Sequence, residues 1–299
     1  MASSLSKGAL SSVVALVLAV PAGAQAAVLH DQTDHVAFYA TASEDFQPSQ
    51  DAVDSLIADD FTVPAEQSWT LNHVDVIGVD DGGPPPFVNV FLYANAGTLP
   101  GPQLFQQPSI PATNYPDYSA PITGGPGLAA GTYWIAVQEA GGGFTVPSWA
   151  WKGRDVQDGN QAVFRGNFGW GNGCTTFTPI QTCFALAGPD MSWKISGTAS
   201  SLPVTFGKLR RVSNGTAKLQ VKVPGPGTIS LGGKGVKGAS AQVAARKSAS
   251  TVTLRIRAKG KAKETLNASG KVTLKATVTY TAPGAMPSVK KLKVKLSKP

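Results

Sequence analysis

Toward the C-terminus, apolar and polar residues alternate almost one for one. Ala217, Leu219, Val221 and Val223 share one side of the chain, with Lys218, Gln220 and Lys222 between them. The same period recurs at Val252, Leu254 and Ile256 against Arg255 and Arg257. It returns at Val272, Leu274, Ala276, Val278 and Tyr280, and again at Leu292, Val294 and Leu296. A two-residue period puts one set of side chains on a core and the other in water, as in a half-buried strand. The PGPG of Pro224–Gly227 and later SG and PG pairs supply turns. Earlier in the chain, SWTLNHVDVIGV, FVNVFLYANAG, GTYWIAVQEA, QAVFRGN and SWKISGTAS also read as strands. Helical spacing is not sustained anywhere, with at most one turn of helix near Gln50–Ile57. DDGGPPP at 80–86 and the long Thr98–Gly131 stretch read as loops, the second covering one end or face of its domain. The pattern predicts an all-β protein.

Charge then divides the chain. From Ala27 to Ala199 there are 4 Lys or Arg against 17 Asp or Glu, a net charge of −13. From Ser200 to Pro299 there are 21 against the single acid Glu264, a net charge of +20. All six Trp fall in the first part, and Phe206 and Tyr280 are the only aromatics of the second. Two compositions so different predict two domains, 27–199 and 200–299, joined around Thr198–Pro203. For the acidic part, strands separated by Gly- and Pro-rich loops predict a jelly-roll-like antiparallel sandwich. For the basic part, roughly six or seven short strands in about a hundred residues predict a small immunoglobulin-like sandwich. It lacks the Cys…Trp…Cys core of antibody domains.

The first 26 residues stand apart. Lys7 precedes an apolar run from about Ala9 to Val20, followed by the cleavage pattern Ala24-Gln25-Ala26. A run of about 12 residues is too short for a membrane span, which needs roughly 20. Residues 1–26 therefore read as a secretory signal peptide, and the mature chain is expected outside the cell. That compartment bears on the only two cysteines, Cys174 and Cys183 in GNGCTTFTPIQTC. The spacing is not the CxxC of a redox motif. His30, His35 and His73 lie far upstream, so a four-ligand zinc site lacks partners. A disulfide closing one loop is the expectation.

A resemblance adds to this reading. The segments VKVPGPGTISLGGKGVK (221–237), LRIRAKGKAKETLNASGKVTLKATVTYTAPG (254–284) and KKLKVKLSK carry it. Over nearly all of 204–298 the chain resembles a lysine-rich Ig-like domain that ends many secreted proteins of high-GC Gram-positive bacteria. The first part resembles an uncharacterised secreted β-sandwich module through ADDFTVP (58–64), GTYWIAVQ (131–138), GCTTFT (173–178) and SWKISGT (192–198). Neither family brings a catalytic motif. The resemblance implies an extracellular, modular, non-catalytic protein and names no substrate.

Candidate chemistry is sparse. Asp31/Asp34, Asp51/Asp54, Asp59/Asp60 and Asp80/Asp81 form acidic pairs. Calcium takes six to eight oxygen ligands, and Asp59 and Asp60 are its candidates, at a strand start. No spacing matches an EF-hand loop, and Asp beside turns also bonds its own backbone. Seventeen acids make some glycosidase-like pair inevitable, and no GxSxG elbow supports a Ser hydrolase. Trp149 and Trp151 share one side of VPSWAWKGR, with Lys152 and Arg154 on the other, and Trp170 sits beside the cysteine loop. These three are candidates for a carbohydrate-stacking platform. For Trp149 and Trp151 the competing reading is core, which is also the expectation for Trp134 and Trp193.

The lysines of the second part must face outward, because their neighbours form the core. Lysine guards sheet edges, but mixed charges would do that equally well. Such a field attracts polyanions. Secretion and few stacking aromatics argue against a dedicated nucleic-acid reader. The expected partners are anionic cell-wall polymers, glycans or membrane surface. The expected function is that of a secreted, non-catalytic binding or structural protein near the envelope, with no obligatory cofactor; the alternatives are a carbohydrate-binding module using exposed Trp, a secreted hydrolase with an unrecognised acidic site and, for the basic face alone, an inert solubilising surface.

Overall fold

The computed structural model describes residues 26–80, 87–142, 149–167, 173–185, 187–243 and 250–298. The expected signal peptide, save Ala26, lies outside the described residues, as do Asp81 and Trp170. The chain is all-β, built from several sheets whose pairings are antiparallel with one exception. Its buried apolar residues form clusters that do not cross residues 200–203, although Ala285 packs against both sides.

In the acidic part the main sheet is centred on Ser55–Val63 and Gly131–Gly142, which pair with each other. Ser55–Val63 is buried on both faces apart from Thr62, so its two carboxylates are buried with it. Val163–Gly166 and Phe87–Asn95 flank this pair, and Pro100–Pro111 closes one edge. Glu44–Phe46 adds the one parallel pairing, to Gly131–Gly142. A second sheet joins Ala27–Asp31, Trp193–Ser201 and Gln67–Val76. A third, smaller sheet places Val36–Ala42 against Trp149–Arg154, which is paired on its other side by Gly78–Asp80 and Asp190–Met191. Phe61 fills the space between sheets, stacked on Trp69 at 6.1 Å and edge-on to Trp193 at 5.9 Å.

The stretch Thr98–Gly131, expected as a loop, is largely strand. Pro100–Pro111 pairs with Phe87–Asn95, while Tyr118–Pro121 and Gly127–Leu128 pair with Gln67–Val76. The prolines survive there because Pro100–Pro111 is an edge strand with three register shifts, where missing N–H donors leave no ladder bond unmade. Near Gln50–Ile57 the helical turn is a 3₁₀ segment at Pro48–Val53, and strand begins at Ser55. The joint is also firmer than a linker. Thr198–Ser201 completes a strand paired with Gln67–Thr70, and every second residue from Trp193 to Ser201 is buried. Beyond it, Leu202 N donates to Glu66 O, and Gln67 Nε2 donates to Pro283 O at 2.8 Å.

The basic part has seven strands among the described residues, in sheets of three and four. Ala217, Leu219, Val221, Val223, Leu254, Ile256, Leu274, Ala276, Val278, Tyr280, Val294 and Leu296 are buried between them. Tyr280 Oη donates to Pro226 O at 2.6 Å, which satisfies its hydroxyl. One helix, Lys261–Ser269, was not expected; it ends at Gly270 in the left-handed conformation, φ +70°.

Cys174 and Cys183 form a disulfide with Cα atoms 6.1 Å apart. Closing a ring of about ten residues restricts the unfolded chain and stabilises by ~2.5–3 kcal/mol. The Cys174→Ser/Cys183→Ser variant is expected to melt roughly 5–10 °C lower while keeping its far-UV circular dichroism spectrum. An unchanged melting temperature would contradict this role.

Candidate functional site

Trp149 and Trp151 are both 0 % exposed, so they form no carbohydrate platform. Trp149 donates its backbone N–H to Glu44 Oε1 and its indole N–H to Pro116 O at 2.8 Å. Trp151 donates to Ser192 O at 3.0 Å. The two-residue period placed these indoles on one side correctly, but that side is the core. Trp134 and Trp193 are buried as well. Arg154 corrects the expected alternation. A register shift between Lys152 and Arg154 turns its guanidinium inward, where Nε meets Asp34 Oδ1 at 2.8 Å. Such a bulge flips every later side chain to the other face.

Asp59 and Asp60 are the centre of a buried hydrogen-bond knot. Asp59 Oδ2 accepts from Gln32 Nε2 (3.2 Å), Met191 N (2.9 Å) and Trp193 Nε1 (2.9 Å), and Oδ1 accepts from Asp60 N (2.9 Å). Asp60 accepts on one oxygen from Asn160 N and on the other from Asn160 Nδ2. Gly159, at φ +83°, lets this loop close over the carboxylate; a Cβ there would lie 2.8 Å from both oxygens. The donors around both carboxylates are protein N–H groups, which tie the two acids into the fold. Among the described residues no group of three or more His, Cys, Asp or Glu is placed to hold a metal. In this structure Asp59 and Asp60, the calcium candidates, are held by protein donors and knit separate segments together.

Burial sets the acidity of this knot. It pushes Asp59 well above the usual carboxylate range, with Asp190 nearby adding repulsion. It raises Asp60 to about 6 and Asp190 to about 7. A carboxylate raised in the fold holds a proton that the unfolded chain has released, so stability falls as pH rises from the ordinary carboxylate range through the folded value. For Asp190 the step from pH 6 to 8 is worth ~1 kcal/mol after solvent screening. His30 is shifted the opposite way by burial, and costs stability only as pH falls below its ordinary 6.5. The melting temperature is expected to be lower at pH 8 than at pH 7, above the interval where His30 acts, and Asp190→Asn should lessen that fall. A melting temperature that rises between those two pH values would contradict it.

His73, Ser119 and Asp75 meet on adjacent strands, with His73 Nε2 2.6 Å from Ser119 Oγ. A catalytic relay needs the serine on one ring nitrogen and the carboxylate on the other. Here Asp75 contacts Ser119 Oγ and, at 3.4 Å, the same Nε2. The geometry is that of a surface polar cluster, with Lys194 3.6 Å from Asp75.

The basic part carries the most unusual surface. In the three-stranded sheet Arg210 stands opposite Lys218, and Lys218 opposite Arg255, so three cations share one cross-strand row. In the four-stranded sheet Lys275 stands opposite Lys293, and Lys291 and Lys295 flank Lys293 on its own strand. All seven are exposed. Opposite residues lie roughly 5 Å apart at Cβ and alternate residues along a strand roughly 7 Å apart. Like charges in that arrangement repel and destabilise a sheet. Among the described residues every ion pair lies in the acidic part. Beside this face, Lys234, Lys259, Lys261 and Lys275 line a hollow of about 630 Å³.

Among the described residues of the acidic part lies a groove of about 960 Å³ bordered by the edge strand Val36–Ala42. Phe38, Tyr39, Phe164 and Phe184 dominate its walls, and Phe184 directly follows the disulfide-bonded Cys183. Trp170, on the other shoulder of that loop, lies outside the described residues.

Comparison with known protein families and with curated proteins gave no match. Among the described residues no helix is long and apolar enough to cross a membrane.

Proposed function

We propose that this is a secreted, non-catalytic binding protein whose basic part associates electrostatically with anionic polymers of the cell envelope. The observation that carries this reading is the set of like-charge rows. Selection for folding alone would intersperse acids among Arg210, Lys218 and Arg255, or Lys275 and Lys293; the chain instead accepts the repulsion. A polyanion relieves it by placing one negative group between neighbouring cations and releasing bound counterions. Phosphodiester-linked wall polymers offer such groups along a linear chain. The acidic part, joined to the basic part through bonds such as Leu202 N to Glu66 O, would ride on this anchor.

The test uses full-length secreted protein and purified Gram-positive walls, with and without acid extraction of their anionic polymer. Co-sedimentation at low salt is expected with intact walls and is expected to fall sharply with extracted walls. Equal binding to both would overturn the proposal.

A further inference from the structure

The groove of the acidic part has a chemistry opposite to the domain that holds it. That part of the chain carries 17 acids and 4 bases, yet among the described residues no acid lines the groove and Lys152 is the one charged residue that does. Lys152 Nζ donates to Phe38 O at 3.0 Å and sits 5.9 Å from the Phe38 ring centre. An ammonium has three donors, so further ones remain for a ligand, and none of the ion pairs among the described residues includes Lys152. Phe38 is 86 % exposed and Tyr39 46 %, in edge-on contact at 5.4 Å, while Phe184 also lines the groove and packs edge-on at 4.8 Å against the buried Phe164. Aromatic side chains this exposed, gathered on one concave apolar surface, mark a ligand site.

The lining decides the ligand. A sugar would bring many hydroxyls that need partners, but Ser55 Oγ already donates to Ala42 O and accepts from Glu44 N, Thr41 is buried, and among the described lining hydroxyls that leaves the one of Tyr39. Hydroxyls placed against alanine and phenylalanine would lose their hydrogen bonds to water. An apolar tail loses nothing there, and a single anionic head at its end would meet Lys152. We infer that the groove binds a monoanionic amphiphile, an aliphatic chain carrying one carboxylate, with Lys152 holding the head and Phe38, Tyr39, Phe164 and Phe184 covering the tail.

The test is calorimetric titration of the full-length protein with dodecanoate below its micellar range, at 300 mM salt to suppress the lysine-rich faces. Methyl dodecanoate and dodecyltrimethylammonium serve as the neutral and cationic counterparts. Saturable 1:1 binding of dodecanoate is expected, roughly tenfold tighter than the ester, with the cation weaker still. Lys152→Met should erase the preference for the acid and Lys152→Arg should keep it; Phe38→Ser should weaken both acid and ester. Melting curves verify that each variant is folded, and Tyr39→Ser replaces Phe38→Ser if that one is not. Dodecanoate binding left unchanged by Phe38→Ser and Lys152→Met would overturn the inference. So would a wild-type protein that binds none of the three, or one that self-associates through this edge and loses that association with Phe38→Ser. The salt and the groove variants keep this outcome separate from wall binding.

Discussion

Asp59→Ala is expected to destabilise the acidic part by about 4 kcal/mol or more, enough to unfold much of it at 37 °C. The carboxylate is fully buried and collects four N–H donors from three separate regions: Gln32, Asp60, and the Met191–Trp193 segment. Alanine leaves all four without an acceptor in a space closed to water, at ~1–3 kcal/mol for each orphaned group. Domains are stable by only about 5–15 kcal/mol in total. Asp59→Asn keeps one acceptor oxygen and turns its amide toward another donor, so it should fall between alanine and the wild type. All six Trp lie in the acidic part, so tryptophan fluorescence during urea unfolding reports on that part alone. A midpoint for Asp59→Ala within error of the wild type would show that the knot contributes nothing.

That knot was invisible in the sequence for a physical reason. Asp59 and Asp60 are adjacent, and adjacent strand residues point to opposite faces. One face of such a strand normally meets water, but Ser55–Val63 is covered on both, so the two acids are buried in different surroundings. Their partners lie 27, 100, 132 and 134 residues away, beyond any local pattern. The basic part was far more legible, because its strict alternation at 217–223, 252–257 and 272–280 marks both the strands and their inward faces. The strands Thr205–Val212, Gly227–Gly232 and Ala239–Val243, which lack that strict alternation, were not located, and the helix Lys261–Ser269 escaped since Leu266 is its single buried residue and no helical stripe exists to be read. The prolines at 100, 102, 108 and 111 disguised an edge strand as a loop. For Trp149 and Trp151 the period gave the shared side, but which side faced the core depended on sheets formed elsewhere in the chain.

Replacing Lys275, Lys291, Lys293 and Lys295 by Gln is expected to have two effects of opposite sense. Affinity for anionic polymer should fall roughly a hundredfold at low salt, as four charges cease to release counterions. Stability should rise slightly, by ~0.5 kcal/mol, because Lys275 no longer faces Lys293 across the ladder. The pairing of these effects is what makes the variant informative. A substitution that damages folding lowers both quantities, and one on an inert solubilising surface changes neither by much. Loss of binding with a gain in stability is the mark of a surface kept for a partner at the expense of the fold.

The salt dependence of binding tests that claim most directly. The affinity of the full-length protein for soluble poly(glycerol phosphate) should be measured between 50 and 500 mM NaCl. The logarithm of affinity is predicted to fall linearly with the logarithm of salt, with a slope of about −3 or steeper that becomes shallower by about 3 in the four-lysine variant. Binding that ignores salt, or no binding at 50 mM, would contradict it.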